Sequence, residues 1–581
     1  MASNLMFWRR GSKSKAGSRN GLLDGDAQGR RQVPATPAEW LRAVLRFVLP
    51  VVLFGIFGYA LMNLSPMEVA RFTGGGNIER TITRSHLESL HKPSRVDNGG
   101  SRRLRLFMPA DGPSINLCKT IMSAVALGYP MPTLLNWDGE FNRPDWHFAG
   151  SHIAKLESLL AVIDDLYERD DDVNENDLVL LVDAYDIWFQ LPPSVLIERF
   201  HQLNRKADAR VKKQWEDQGL KPDFPVSPPT QNIIVTTAKD CQPTWESGSD
   251  PRYEYWLDSP LPADFYGNET DHVLPYVFDS ARKYKKIRPR CVNSGMIMGT
   301  VGSLRGALRK CKGKVDVAAA AGRQLWSDQA LFAEVIGDQE VWRHWMRGLS
   351  SSWNGLVAQE QLGRLPGDVR RIADAALAGE EFEFGIGLDY DFATIPPTCS
   401  SEDDGYFVKL DDAEAIKRES DKAGVPGDVR VNSIPPELKD APQPIPGYGW
   451  SNLSLYTDFF FGTSPVGIHH NAYIFGLKAW RLENWWSLTW FYPHLRELVT
   501  KALESNRKLA PLARLPMDSD GRNEMVYWAS EEGSSEASVK VFDGSRERTG
   551  YSSVGWDGVC QKGEKKWYDV IFADEKGPLA A

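Results

Sequence analysis

Asp183 and Asp186, with Ala184 and Tyr185 between them, close the apolar run Leu178-Val179-Leu180-Leu181-Val182. Two carboxylates at that spacing offer oxygen ligands to a hard divalent cation, which completes its shell with substrate phosphates and so needs few protein ligands. Five apolar residues in a row, without alternation, predict a strand covered on both faces, as in a mostly parallel sheet. Ligands of such sheets bind beyond the carboxyl ends of the strands, which is where the pair falls. A capped turn accounts for the same four residues, because D-x-x-D is a short and common pattern.

Other polar residues stand at the ends of elements. Asp328, in Trp326-Ser327-Asp328-Gln329, precedes a stretch from Ala330 to Val335 with helical apolar spacing, so it is placed to cap a helix. Asn293-Ser294-Gly295 suits either a turn between strands or a backbone that comes close to a ligand.

The elements that must carry these residues alternate in type. Leu104 to Met108 reads as a first strand, followed by a helix through Leu117, Ile121, Val125 and Leu127 that stops at Gly128. Thr133 to Leu135 reads as a second strand. Ile153 to Leu166 reads as a helix with Leu156, Leu159, Leu160 and Ile163 on one side. Beyond the carboxylate strand the chain turns through Leu191-Pro192-Pro193-Ser194 into a helix that reaches Phe200, and the β-branched run Ile233 to Thr237 is a further buried strand. The alternation predicts an α/β fold with a mixed, mostly parallel sheet and helices on its faces. Gly424 to Gly447, rich in proline and charge, reads as a surface insertion.

Composition and charge set the compartment. The chain has 581 residues, 42% of them hydrophobic, enough for one large core or two ordinary ones. Its net charge is -9 although the first 46 residues carry nine Lys and Arg against three acidic side chains, so the remainder is strongly acidic and unsuited to nucleic acid. Phe47 to Leu64 is apolar and free of charge, close to the minimum of about 18 residues for a membrane-spanning helix. The basic tail before it predicts a cytosolic amino terminus, and no A-x-A cleavage pattern follows it. The rest of the chain is then lumenal. Cys118, Cys241, Cys291, Cys311, Cys399 and Cys560 all lie beyond this anchor, so disulfides are permitted, and no C-x-x-C pair suggests zinc. Sequons at Asn268 and Asn452 agree with lumenal exposure.

Four motifs occur in a familiar order: Asp183-Ala184-Tyr185-Asp186 after an apolar strand, Asn293-Ser294-Gly295 with Gly299 nearby, Ser327-Asp328-Gln329 before Leu331-Phe332, and Pro465-Val466-Gly467-Ile468-His469-His470-Asn471. In these, Leu104 to Lys478 resembles the glycosyltransferase domain of procollagen lysyl hydroxylases and, more distantly, the procollagen galactosyltransferases. The resemblance implies a GT-A fold, a Rossmann-like nucleotide-sugar domain, and a UDP-sugar donor bound with Mn²⁺. It implies Asp183 and Asp186 as metal ligands and His469 as the third, and an imidazole beside two carboxylates favours Mn²⁺ over Mg²⁺. The family's His-Gly-Asn-Gly is replaced by His469-His470-Asn471-Ala472, which makes His470 a rival ligand. The resemblance further implies Tyr185 near the uracil, Lys155 near the donor phosphates, and Asn293, Ser294 and Gly295 beside the donor sugar. Asp328 falls near the transferred sugar or the acceptor hydroxyl, as general base if transfer inverts. From the residues alone, Tyr185 equally suits the core and Lys155 a solvated helix face.

Only His494 follows His470, so the two-histidine iron site of a hydroxylase is not expected. Trp480, Trp485, Trp486 and Trp490 form either a carbohydrate platform or, as buried tryptophans commonly do, part of the core. The expected organisation is a cytosolic tail 1–46, an anchor 47–64, a stem 65–102, a lumenal catalytic domain 103–500 and a C-terminal extension 501–581. The expected activity, in the Golgi or ER membrane, is transfer of a sugar from a UDP-sugar to a protein or glycan acceptor with a divalent cation. A lumenal binding protein that keeps the fold without turnover is the first alternative, favoured by the glycines lost beside His469. A metal-dependent phosphoesterase is the second.

Overall fold

The computed structural model describes residues 82–90, 97–146, 150–169, 173–275, 280–357, 362–439, 441–504, 510–517, 523–530, 538–544, 550–572 and 574–579. The expected anchor, 47–64, lies outside them, and among the described residues no helix is long and apolar enough to cross a membrane. The elements that bear on the site are β1 (Gly100–Pro109), α1 (Ile115–Ala126), β2 (Thr133–Leu135), α2 (Gly150–Arg169), β3 (Leu178–Val182), β4 (Ile187–Phe189), α3 (Pro193–Asp217), β5 (Ile233–Ala238), β6 (Cys291–Thr300), α4 (Val301–Ala320), α5 (Asp328–Ser352) and β7 (Ile386–Asp389). They continue with β8 (Gly467–His469), α6 (Leu477–Asn484), β9 (Ala513–Pro516), β10 (Glu524–Ala529), β11 (Ser538–Asp543), β12 (Gly550–Gly555) and α7 (Trp556–Cys560).

The main sheet has the order β12-β11-β2-β1-β3-β6-β5-β7, with β10 also on β1 and β9 on β10. β1 runs parallel to β2, β3 and β10, β11 runs parallel to β2, and β7 to β5, while β6 runs against both β3 and β5. The fold is therefore α/β with a mixed, mostly parallel sheet, compatible with a Rossmann-like arrangement. β3 explains its own lack of alternation. Leu178, Leu180 and Val182 enter one apolar layer with α1, and Val179 and Leu181 enter the other with α2, α4 and α5. Full burial of each such side chain contributes about 1.5–3 kcal/mol, so a polar residue on either face would be selected against.

Several elements differ from expectation for identifiable reasons. α3 runs on to Asp217 because its second half is solvated, and pairs such as Lys213–Asp217 (2.7 Å) replace the fading apolar stripe. Asn293-Ser294-Gly295 is not a turn but the middle of β6, where the register with β5 slips: Val235 faces Ile297, yet Thr236 faces Asn293. A bulge of this kind bends a strand and re-aims its residues. Within the stretch read as a stem, Ile82 and Leu87 are buried in the apolar cluster that also holds Trp345 and Val369.

The C-terminal extension adds four strands to the main sheet. β10 pairs with the first half of β1, from Gly100 to Leu104, and β11 pairs with β2. The disulfide Cys118–Cys560 ties α7 to α1, and Cys241–Cys291 ties the loop after β5 to the start of β6. Cys311 and Cys399 are buried free thiols. Trp485, Trp486 and Trp490 pack in the core, whereas Trp480 is about half exposed at 52%.

Candidate metal centre

Asp183 begins where β3 ends, and its backbone N–H still donates to the Gly295 carbonyl of β6 at 2.9 Å. Four residues later, at Ile187, β4 starts, and it pairs antiparallel with β8 so that Ile187 faces His469. The His470 N–H donates to the Asp186 carbonyl at 2.7 Å. A short two-stranded ribbon thus brings the histidine from far along the chain onto the carboxylates. From the other side the His469 carbonyl accepts hydrogen bonds from the Thr398 N–H (3.1 Å) and hydroxyl (2.9 Å), which fixes its backbone.

Asp183, Asp186 and His469 converge, with one ligand atom from each within 4.8 Å of the others. His469 Nε2 lies 3.3 Å from Asp186 Oδ2 and 3.7 Å from Asp183 Oδ2. Asp183 remains partly open at 34% exposure, while Asp186 and His469 are buried. Two anionic oxygens and an imidazole nitrogen could hold a divalent cation. His470 points elsewhere: adjacent strand residues face opposite sides, and its ring sits 4.0 Å from that of Trp188 and 5.9 Å from that of Trp485. Burial among these indoles holds its pKa well below that of an ordinary histidine.

Gly295 makes the convergence possible. A Cβ there would lie 2.3 Å from His469 Cε1 and 2.5 Å from Nδ1, so the imidazole packs directly on the bare backbone of β6. The two motifs that carry Gly295 and His469 are therefore halves of one steric device. Asn293 supports the bulge by accepting the Gly295 N–H on Oδ1 at 3.1 Å.

Lys155 is the hub of the polar floor. Its ammonium, buried on α2, lies 2.6 Å from Asp183 Oδ1, 2.6 Å from the Ser294 carbonyl and 3.1 Å from Asp328 Oδ2. Burial works against its charge, but Asp183 and Asp328 outweigh burial and raise its pKa above the ordinary lysine value. Asp328 also accepts the Ser294 hydroxyl at 2.8 Å. Burial would raise the Asp328 pKa, yet Lys155 and Ser294 bring it below the usual carboxylate value. Asp328 is not the helix cap: Ser327 holds that position, accepting the Ala330 N–H, which frees Asp328 for the site. For Asp186, burial is likewise overcome by His469 and Lys478, and its pKa is well depressed.

Tyr185 does not join the cluster through its polar end. Its hydroxyl donates to Asp111 Oδ1 at 2.6 Å and accepts the Asp111 N–H at 3.0 Å, pinning the loop that follows β1 beside the carboxylates. Two participants escaped sequence reading. Gln329 accepts from Asn293 and from the Ser294 N–H, each at 3.2 Å, and donates to the Gln242 carbonyl at 2.6 Å. Lys478 reaches Asp186 Oδ2 at 2.6 Å. Its signal was its place nine residues after His469, at the start of a helix. A cavity of about 1560 Å³ opens elsewhere, past Thr300, Gly302 and Arg305. That is the end of the sheet at which β3 begins, because Thr300 faces Leu178.

No protein-family model matches the chain, and no curated protein matches it.

Proposed function

We propose that the chain is a type II membrane glycosyltransferase of GT-A architecture that moves a sugar from a UDP-sugar to a protein or glycan acceptor, in the Golgi or ER, with Mn²⁺ or Mg²⁺. The observation that carries this reading is the joining of Asp183, Asp186 and His469 at the carboxyl end of β3 in a mixed α/β sheet. That is where nucleotide ligands of such sheets sit. The two disulfides agree with an oxidising lumen, and Asn268 and Asn452 of the sequons are exposed.

On this reading Asp183, Asp186 and His469 hold the cation, which when bound supplies positive charge to the diphosphate leaving group. Lys155 keeps Asp183 in place and joins it to Asp328 across the floor. Asp328 stays ionised and accepts a hydrogen bond from a sugar hydroxyl. Its ion pair with Lys155 weakens it as a proton acceptor, which favours an orienting role over that of general base. The bulged Asn293-Ser294-Gly295 segment lets the backbone of β6 approach the donor sugar, and Tyr185 walls the nucleotide side.

The test is UDP release by the purified chain from each of a panel of UDP-sugars, with Mn²⁺ and with chelator. Metal-dependent release from one donor is expected. Mn²⁺ binding without release from any donor would replace this reading with that of a binding protein, for which Ala472 in place of a glycine already speaks.

A further inference from the structure

Two lysines touch the two metal-site aspartates, on unequal terms. Lys155 is built in, with a side chain only 7% exposed and contacts to Asp183, Ser294 and Asp328. Lys478 is 49% exposed, stands on the first turn of α6, and touches Asp186 Oδ2 at 2.6 Å. That oxygen is also the one nearest His469 Nε2, at 3.3 Å, so the ammonium sits on an atom of the candidate ligand set. The residues just before Lys478 face solvent: Phe475 is fully exposed, and Gly476, at φ 78°, opens α6 from the left-handed region.

We propose that Lys478 is a resident counter-ion that a divalent cation must displace, so that the centre loads by exchange of one cation for another. This rests on the metal centre proposed above. The charges support it. Asp183, Asp186 and Asp328 face Lys155 and Lys478; once Lys478 leaves, the three carboxylates and Lys155 carry a net charge of minus two, which one divalent cation balances. Exchange also keeps Asp186 compensated throughout. Its side chain is 7% exposed, and a carboxylate left unpaired at that depth is strongly destabilising. The half-exposed lysine, by contrast, is already partly hydrated and completes its hydration when it moves into water.

The experiment is Mn²⁺ titration of the full chain by calorimetry, without nucleotide, comparing wild type with Lys478→Gln, Lys478→Met, Asp186→Asn and, as a control for net charge, Lys213→Gln on α3. Both Lys478 variants are expected to bind Mn²⁺ about fivefold more tightly than wild type, the upper end of what a pair open to water on the lysine side contributes. Lys213→Gln should leave the affinity within twofold and Asp186→Asn should abolish binding. Unchanged or weaker binding in both Lys478 variants would overturn the exchange while leaving the metal centre standing. A wild-type chain that binds no Mn²⁺ would overturn both.

Discussion

Replacing Gly295 with alanine tests the steric device at the heart of the candidate centre. The added methyl would lie 2.3 Å from His469 Cε1, against a normal carbon–carbon separation of about 3.5 Å or more, so something must move by about 1.2 Å. The β6 backbone is restrained, because the Gly295 carbonyl accepts the Asp183 N–H and its own N–H is held by Asn293. The His469 backbone is held by β4 and Thr398. The imidazole is therefore the part that turns away. Misplacement of a reacting or ligating group by about 1 Å costs on the order of 100-fold, so Mn²⁺ affinity should fall by about that factor, roughly 3 kcal/mol. Overpacking should lower stability by about 1–3 kcal/mol as well. Calorimetric Mn²⁺ titration beside thermal unfolding separates the two effects. In a His469→Ala background the methyl meets no ring, and the same substitution should cause no further loss of affinity. Wild-type Mn²⁺ affinity in Gly295→Ala would refute the argument, because the ring would then not depend on the bare backbone.

Asp186→Asn keeps the shape of the side chain and removes a ligand charge, so metal-dependent UDP release should fall by at least about 100-fold while the unfolding midpoint stays near wild type. Asp458 is buried, and burial together with the charge of Asp404 pushes its carboxyl up to about 7. A group that holds its proton more tightly when folded lends stability below its unfolded value near 3.8 and loses it as pH rises toward 7. Asp458→Asn retains an acceptor for the Phe460 and Phe461 N–H groups, so it should flatten the decline in stability across that window and raise the denaturant midpoint at pH 8. Joint replacement of Cys118 and Cys560 by serine should lower stability by about 2–5 kcal/mol in denaturant titrations, with the greatest loss of hydrogen-exchange protection in β10 to β12.

What could be read from the sequence follows the range of the interactions. β3 was legible to the residue because an unbroken apolar run has one good explanation, a strand covered on both faces. Asp183 and Asp186 were legible because they sit where that run stops. The choice between His469 and His470 was not, since neighbours on a strand face opposite sides and only the pairing of Ile187 with His469 settles which one meets the aspartates. Asn293-Ser294-Gly295 looked as much like a turn as a strand, because its residue types are poor strand formers. They are tolerated there because Lys155, Asp328 and His469 use their polar groups and their lack of bulk. The stretch from Leu515 has strand-like pieces, but that β10 and β11 join the main sheet was not legible, as their partners lie hundreds of residues earlier.

That last arrangement sets an order of events during synthesis. The Arg102 guanidinium donates to the Tyr527 hydroxyl across 425 residues, and β1 is among the first strands to emerge. At translation rates of roughly 5–20 residues per second, β1 waits on the order of 20–85 s for β10. Until then the edge that β10 will cover is open to any other extended chain, which makes it a natural binding point for a folding helper. A chain stopped short of Glu524 would retain every proposed metal ligand and still lack the closing strands of its sheet, so damage to the last 58 residues, 524–581, should be detected as a failure of folding before it is felt as a failure of chemistry.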